Sequence, residues 1–151
     1  MTEFQLVTTE RQMTVSIQAK VNVQDISSYM GKAYGELFAF SQKNGLTIVG
    51  PPIAYYNSWN DQEVDVICAF PVSAPFHPEG MFKAFELPKV KAVVAIHVGP
   101  YKDLVVTYTA MQKWMEENGL VPEGYMWEEY LNDPSEVGQE DARTKLTWPV
   151  K

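Results

Sequence analysis

The tripeptide Asn44-Gly45-Leu46 returns as Asn118-Gly119-Leu120, a step of 74 residues (44 to 118). The same step carries Tyr34 onto Tyr108, Leu37 onto Met111 and Phe40 onto Trp114. Phe70-Pro71-Val72 resembles Trp148-Pro149-Val150 at a step of 78 (70 to 148), the slack being taken up by a longer second hairpin loop. A repeat this long constrains the chain more than any local propensity, because both copies must reach the same supersecondary unit.

Each copy reads as strand, helix, strand, strand. In 13–23, Val15, Ile17, Ala19, Val21 and Val23 alternate with polar residues, the pattern of a half-buried strand. Asp25, Ser27 or Ser28 can cap the amphipathic helix expected over 26–43, which carries Tyr29, Met30, Ala33, Tyr34, Leu37, Phe38 and Phe40 and stops at Asn44-Gly45. Strands follow at 53–59 and 64–72, with a turn at Asn60-Asp61. Residues 73–80 hold two prolines and a glycine and form a connector. The order then returns. Strands are expected at 81–87 and 91–98, and a turn at Gly99-Pro100. A helix is expected over 104–117 with the stripe Leu104, Val105, Tyr108, Met111, Trp114 and Met115, then the Glu128 strand, a polar loop and a strand over 142–150.

The expected fold class is therefore α+β. Two strand-helix-strand-strand units join their strands into one antiparallel sheet with both helices on one face and a ligand cleft between the halves. Residues 1–12 read as a lead-in and 13–151 as a single domain, with repeat one at about 13–72 and repeat two at about 81–150.

The second repeat holds the most unusual stretch, Gly124-Tyr125-Met126-Trp127-Glu128-Glu129-Tyr130-Leu131-Asn132-Asp133-Pro134. It reads as a strand ended by a turn signal. Side chains alternate along a strand, so Glu128 and Glu129 point to opposite faces, and Glu128 shares its face with Met126 and Tyr130. A carboxylate between a thioether and an aromatic ring is costly unless something satisfies it. In such a place its charged form is disfavoured, and a cationic ligand would supply the missing partner. The aromatic residues Tyr55, Tyr56, Trp59, Tyr125, Trp127 and Tyr130 are available as walls for cation–π contact, although parity sends Tyr55 and Tyr56 to opposite faces.

Charge and composition narrow the function. Aromatics make up 13% of the 151 residues, and 19 acids against 12 bases give a net charge of −7 without any basic block, so no footprint for nucleic acid is present. The one cysteine, Cys68, lies in an apolar run and reads as a buried small hydrophobe in a reducing compartment. No signal core or membrane-length run is visible, which points to a cytoplasmic protein. His97 and His77 are far apart, and no metal or cofactor is expected. Phosphate-loop, dinucleotide and Gly-x-Ser-x-Gly elements are missing.

These residues resemble a known family. Glu63-Val64-Asp65-Val66 with Phe70-Pro71-Val72, Glu86-Leu87-Pro88, His97-Val98-Gly99-Pro100-Tyr101-Lys102-Asp103-Leu104, Trp114 with Asn118-Gly119, and Trp127 through Pro134 closed by Trp148-Pro149-Val150 are similar to the GyrI-like small-molecule-binding domain. That domain also serves as the effector-binding part of AraC-type and MerR-type multidrug regulators. The resemblance spans about 13–150 and implies the duplicated fold, a cleft between the halves and a central glutamate in a Glu-x-Tyr element, here Glu128 with Tyr130. The sequence departs from the family at Lys89-Val90-Lys91, where a glycine is common, and at Glu129, where an apolar residue is common. No helix-turn-helix segment precedes the domain, so a free-standing bacterial or archaeal module is expected.

Three functions follow as expectations. The first is a binding module that sequesters, carries or senses amphipathic cationic or aromatic compounds, its ligand site drawn from Glu128, Tyr130, Trp127, Tyr55, Tyr56, Trp59, Tyr125 and Met126. It would contact neither nucleic acid nor membrane directly, and it could serve a separate transcription regulator. The second, implied by stand-alone relatives, is a hydrolase of cyclopropane-bearing genotoxins with Trp127 and Glu128 as catalytic residues. The third is a protein-interaction role of the gyrase-inhibitor type.

Overall fold

The computed structural model describes residues 3–151. In chain order its elements are β1 (Gln5–Thr8), β2 (Gln12–Asn22), α1 (Ile26–Lys43), β3 (Ile53–Trp59), β4 (Glu63–Pro71), β5 (Lys83–Leu87), β6 (Lys91–Val98), α2 (Leu104–Glu117), β7 (Met126–Tyr130), α3 (Pro134–Val137) and β8 (Arg143–Pro149). Short 3-10 turns at Val23–Asp25 and Tyr101–Asp103 lead into α1 and α2, and another at Gln139–Asp141 precedes β8. The class is α+β, with antiparallel pairing within each unit. No helix among the described residues is long and apolar enough to cross a membrane.

The chain forms two compact units, Glu10–Pro88 and Met1–Thr9 with Lys89–Lys151. In the first, the strands lie in the order β3-β4-β2-β5. Helix α1 buries Ala33, Leu37, Phe40 and Ser41, and the core beside it includes Val15, Ile17, Val66 and Cys68. Tyr34 of α1 leans its ring on Phe70, with centroids 5.6 Å apart, and donates its hydroxyl to the Ile53 carbonyl at 2.5 Å. Burial pushes the Cys68 thiol up to about 11, against a lowering by the Tyr34 hydroxyl.

In the second unit the order is β1-β6-β8-β7. Helix α2 buries Thr107, Met111 and Met115, and the core includes Val93, Ala95, Leu146 and Trp148. Val105, expected in the apolar stripe, is 65% exposed. Thr107 is turned inward instead, where a buried histidine gives its hydroxyl a partner.

Two strands fall outside the expected repeat boundaries. Gln5–Thr8, read as lead-in, is a strand that pairs with β6 (Gln5 opposite Val94, Thr8 opposite Lys91). Strand β5, expected to open the second repeat, pairs with β2 (Gln12 opposite Leu87, Ser16 opposite Lys83) and belongs to the first unit. Each unit thus takes its outer strand from the chain segment that precedes the other. Buried hydroxyls pin that strand in the first unit, where Thr14 Oγ1 donates to the Phe85 carbonyl at 2.5 Å and Ser16 Oγ to that of Lys83 at 3.0 Å.

The repeated Asn-Gly-Leu is a helix terminator in both copies. Gly45 and Gly119 have φ of +66° and +67°, a region that costs other residues. The next residue's amide closes a six-residue loop, Leu46 N–H to Ser41 O at 2.9 Å and Leu120 N–H to Met115 O at 2.8 Å. Each asparagine side chain donates to the carbonyl four residues back. The start of α1 differs from expectation. Asp25 occupies the N-cap without a side-chain bond, and Asn22 Oδ1 accepts from Gln24 N–H at the preceding turn instead.

Candidate functional site

Strand β7 positions the site. Its pairing with β8 sets Glu128 opposite Leu146 and Tyr130 opposite Thr144. The pairing of β8 with β6 sets Leu146 opposite Ala95 and Thr144 opposite His97. One face of this sheet therefore carries the row Glu128, Leu146, Ala95 and, next to it, the row Tyr130, Thr144, His97. Helix α2 covers this face, because Tyr108 reaches Glu128 and Thr107 reaches His97.

Glu128 is 4% exposed. Its two carboxylate oxygens have separate donors. The Tyr108 hydroxyl donates to Oε2, and the Tyr130 hydroxyl donates to Oε1 at 2.8 Å. Burial disfavours the ionised carboxylate, whereas two phenol donors favour it. Both donors are braced. The Tyr108 ring stands edge-on to Trp148 at 5.9 Å, and Trp148 Nε1 donates to the Glu123 carbonyl at 2.9 Å. The Tyr130 ring lies 5.6 Å from that of Tyr101, tilted by 53°. The Tyr101 phenol is raised from its ordinary value, first by burial and then by the charges of Asp133 and Glu128.

Next to this pair, His97 is buried and bonded on both sides. Its Nε2 lies 3.1 Å from the Pro100 carbonyl, which can only accept, so Nε2 carries a proton. Its Nδ1 lies 2.7 Å from Thr107 Oγ1. The expected core histidine with a backbone partner is therefore present, with a threonine added. Thr144, between Tyr130 and His97 on β8, is fully buried and its hydroxyl has no hydrogen-bond partner.

The first unit repeats this arrangement without the carboxylate but with a tyrosine at each phenol position, Tyr56 opposite Val66 standing where Tyr130 stands opposite Thr144. There Ala54 stands opposite Cys68, two residues before Phe70, as Glu128 stands opposite Leu146, two before Trp148. Tyr34 contacts Phe70 as Tyr108 contacts Trp148, and its hydroxyl donates to a backbone carbonyl where that of Tyr108 donates to a carboxylate. Ala33, which precedes Tyr34, stands where Thr107 precedes Tyr108. The duplicated scaffold carries its buried carboxylate in one copy.

The remaining residues singled out in the sequence fall as follows. Met126 is buried on the Glu128 face. Trp127 is 2% exposed and, by strand alternation, faces away from Glu128. Tyr125 precedes β7 and is half-buried, its phenol raised by burial and then by Glu123. In the first unit Tyr55 is buried edge-on to Phe85 at 4.8 Å, Tyr56 is half-buried, and Trp59 is 44% exposed. Tyr108, Trp148 and Tyr101 were not singled out for the site. For Tyr108 and Trp148 the usable signal was the repeat, which aligns them with the packed pair Tyr34 and Phe70. No group of three or more His, Cys, Asp or Glu able to hold a metal ion occurs among the described residues.

The model of the GyrI-like small molecule binding domain matches residues 2–151. No curated protein matches the chain. Among solved structures, the EcmrR C-terminal domain has a TM-score of 0.88 at 23% identity, covering 99% of this chain and 98% of that one. The chain spans 57% of the EcmrR chain seen in its complex with DNA. A hydrolase from Listeria innocua gives 0.73 at 20% identity, covering 99% and 92%. SAV2435 bound to tetraphenylphosphonium gives 0.72 at 15% identity, covering 99% and 94%.

Proposed function

The chain belongs to the GyrI-like small-molecule-binding family, and from that premise we propose that it binds lipophilic organic cations with Glu128 as the charge partner. The observation that carries the reading is the Glu128 carboxylate, 4% exposed and held at both oxygens by the phenols of Tyr108 and Tyr130. A buried carboxylate in apolar surroundings is expensive to keep ionised. Neutral phenols orient it and offset part of that cost, and an organic cation supplies the charge that phenols lack. Because the group is already dehydrated and fixed, a cation meets it without the reorganisation that a surface glutamate would require. Tyr101, Tyr108, Tyr130 and Trp148 add ring contacts worth about 0.5–2 kcal/mol each to a cation that reaches them.

The tetraphenylphosphonium bound to a protein of the same fold fits this chemical class. The net charge of −7 also favours cations over anions. In this role the protein sequesters, carries or senses its ligand. The hydrolytic alternative requires Trp127 and Glu128 to act on one substrate, and strand alternation turns these neighbours to opposite faces. We therefore favour binding over turnover.

Calorimetric titration with tetraphenylphosphonium tests the proposal. Wild type should bind, and Glu128→Gln, which keeps the shape and removes the charge, should bind at least tenfold more weakly, about 1.4 kcal/mol. Equal affinity in the two proteins would remove Glu128 as charge partner.

A further inference from the structure

We infer that the cavity beside Tyr101 is an outer subsite through which organic cations reach Glu128. This rests on the binding reading above and adds to it a route and a selectivity. The cavity, of about 370 Å³, is lined by Pro100, Tyr101, Lys102, Gln139 and Ala142. Tyr101 is 42% exposed, and its ring contacts that of Tyr130 at 5.6 Å. Tyr130 in turn bonds Glu128 Oε1 at 2.8 Å. Two aromatic rings thus link a solvent-open cavity to a carboxylate that is almost wholly buried.

The charges along this route favour cations. The segment 131–142, which contributes Gln139 and Ala142 to the wall, contains Asp133, Glu136, Glu140 and Asp141 and no lysine or arginine. It is a built loop. The Asn132 side chain donates to the Asp141 carbonyl at 3.1 Å and accepts the Arg143 amide at 2.8 Å. Asp133 is fully exposed and held below its ordinary value by the Ser135 hydroxyl and amide, so it stays ionised. The charges of Asp133 and Glu128 both raise the Tyr101 phenol, so an outer and an inner carboxylate act on the same hydroxyl. Lys102 is the one basic residue in the lining, and it opposes this bias.

An aromatic wall between two acids selects ligands that are both cationic and flat or aryl-bearing. It should act on the rate of entry, because charges at a rim steer encounter more than they hold the bound state.

Stopped-flow protein fluorescence with tetraphenylphosphonium, at about 10 mM and about 200 mM salt, reads this directly. Tyr101→Ala should lower the association rate constant about threefold, and Tyr101→Phe should restore it. Asp133→Asn should lower it about twofold at low salt only, and Lys102→Glu should raise it about twofold at low salt only. If all four variants associate at the wild-type rate while Glu128→Gln loses binding, the outer subsite is overturned and the charge-partner reading stands. Wild-type binding by Glu128→Gln would instead overturn that reading, and with it the inner end of the route. Circular dichroism confirms that each variant is folded.

Discussion

Tyr108 on a helix and Glu128 on a strand are joined by a phenol–carboxylate hydrogen bond, and the Tyr108 ring rests on Trp148. Tyr108→Phe separates these two roles. The ring contact survives and the donor is lost, leaving Oε2 of a buried carboxylate one hydrogen bond short. The expected cost is about 1–3 kcal/mol, the range for a buried polar group left short of a hydrogen bond. In thermal melts that corresponds to a fall of roughly 2–12 °C for a chain of this size. A melt unchanged within a degree would mean that the bond contributes nothing to stability.

Ala54 is fully buried at the position that corresponds to Glu128 in the other unit. Ala54→Glu places a carboxylate there, but the nearby Tyr34 hydroxyl already donates to the Ile53 carbonyl. Overpacking and an unsatisfied charge should together cost more than about 3 kcal/mol. Urea denaturation measures this. A variant as stable as wild type would show that the first unit can also house a carboxylate.

Thr144 Oγ1 is buried with no partner. Thr144→Val keeps the shape and removes the group, so it should be neutral or stabilising by up to about 1 kcal/mol. The urea midpoint gives the sign. A clear loss of stability would mean that an ordered water satisfies the hydroxyl.

The Cys68 thiol titrates at about 11 in the fold against 9.0 for an unperturbed thiol, chiefly because it is buried. The folded state holds the proton more tightly, so the full contribution is present below pH 9 and is lost as pH rises towards 11. The decline amounts to about 2–3 kcal/mol across that window. Cys68→Ala should flatten stability against pH between 9 and 10, below the range in which Tyr29, raised from 10.0 to about 12, also titrates. An unchanged slope in the variant would assign the alkaline loss to other groups.

Legibility in the sequence varied with the range of the interaction. Period-two alternation was enough to put Glu128 and Tyr130 on one face, because parity is a local property of a strand. The Asn-Gly-Leu repeat announced both helix ends for the same reason. Tyr108 was visible as a stripe residue, but helical periodicity does not say whether a tyrosine buries only its ring or also aims its hydroxyl at a strand 20 residues away. An apolar stripe takes in Val105 and passes over Thr107, because the partner that makes Thr107 an inward residue, His97, lies on another element. Strand β1 is four residues long and its partner, β6, lies more than 80 residues downstream, so nothing local distinguished it from a lead-in.

The placement of β1 has a practical consequence. Trimming the first nine residues as a dispensable leader would not shave a loose end. It would remove the outermost ladder of the sheet that bears Glu128 and leave Lys91–Val98 with a bare backbone rim. Exposed rims of that kind recruit other chains, so the shortened protein is the form in which self-association is to be watched for. A purification handle belongs at the far side of a spacer ahead of Gln5, where it leaves the four-residue ladder intact.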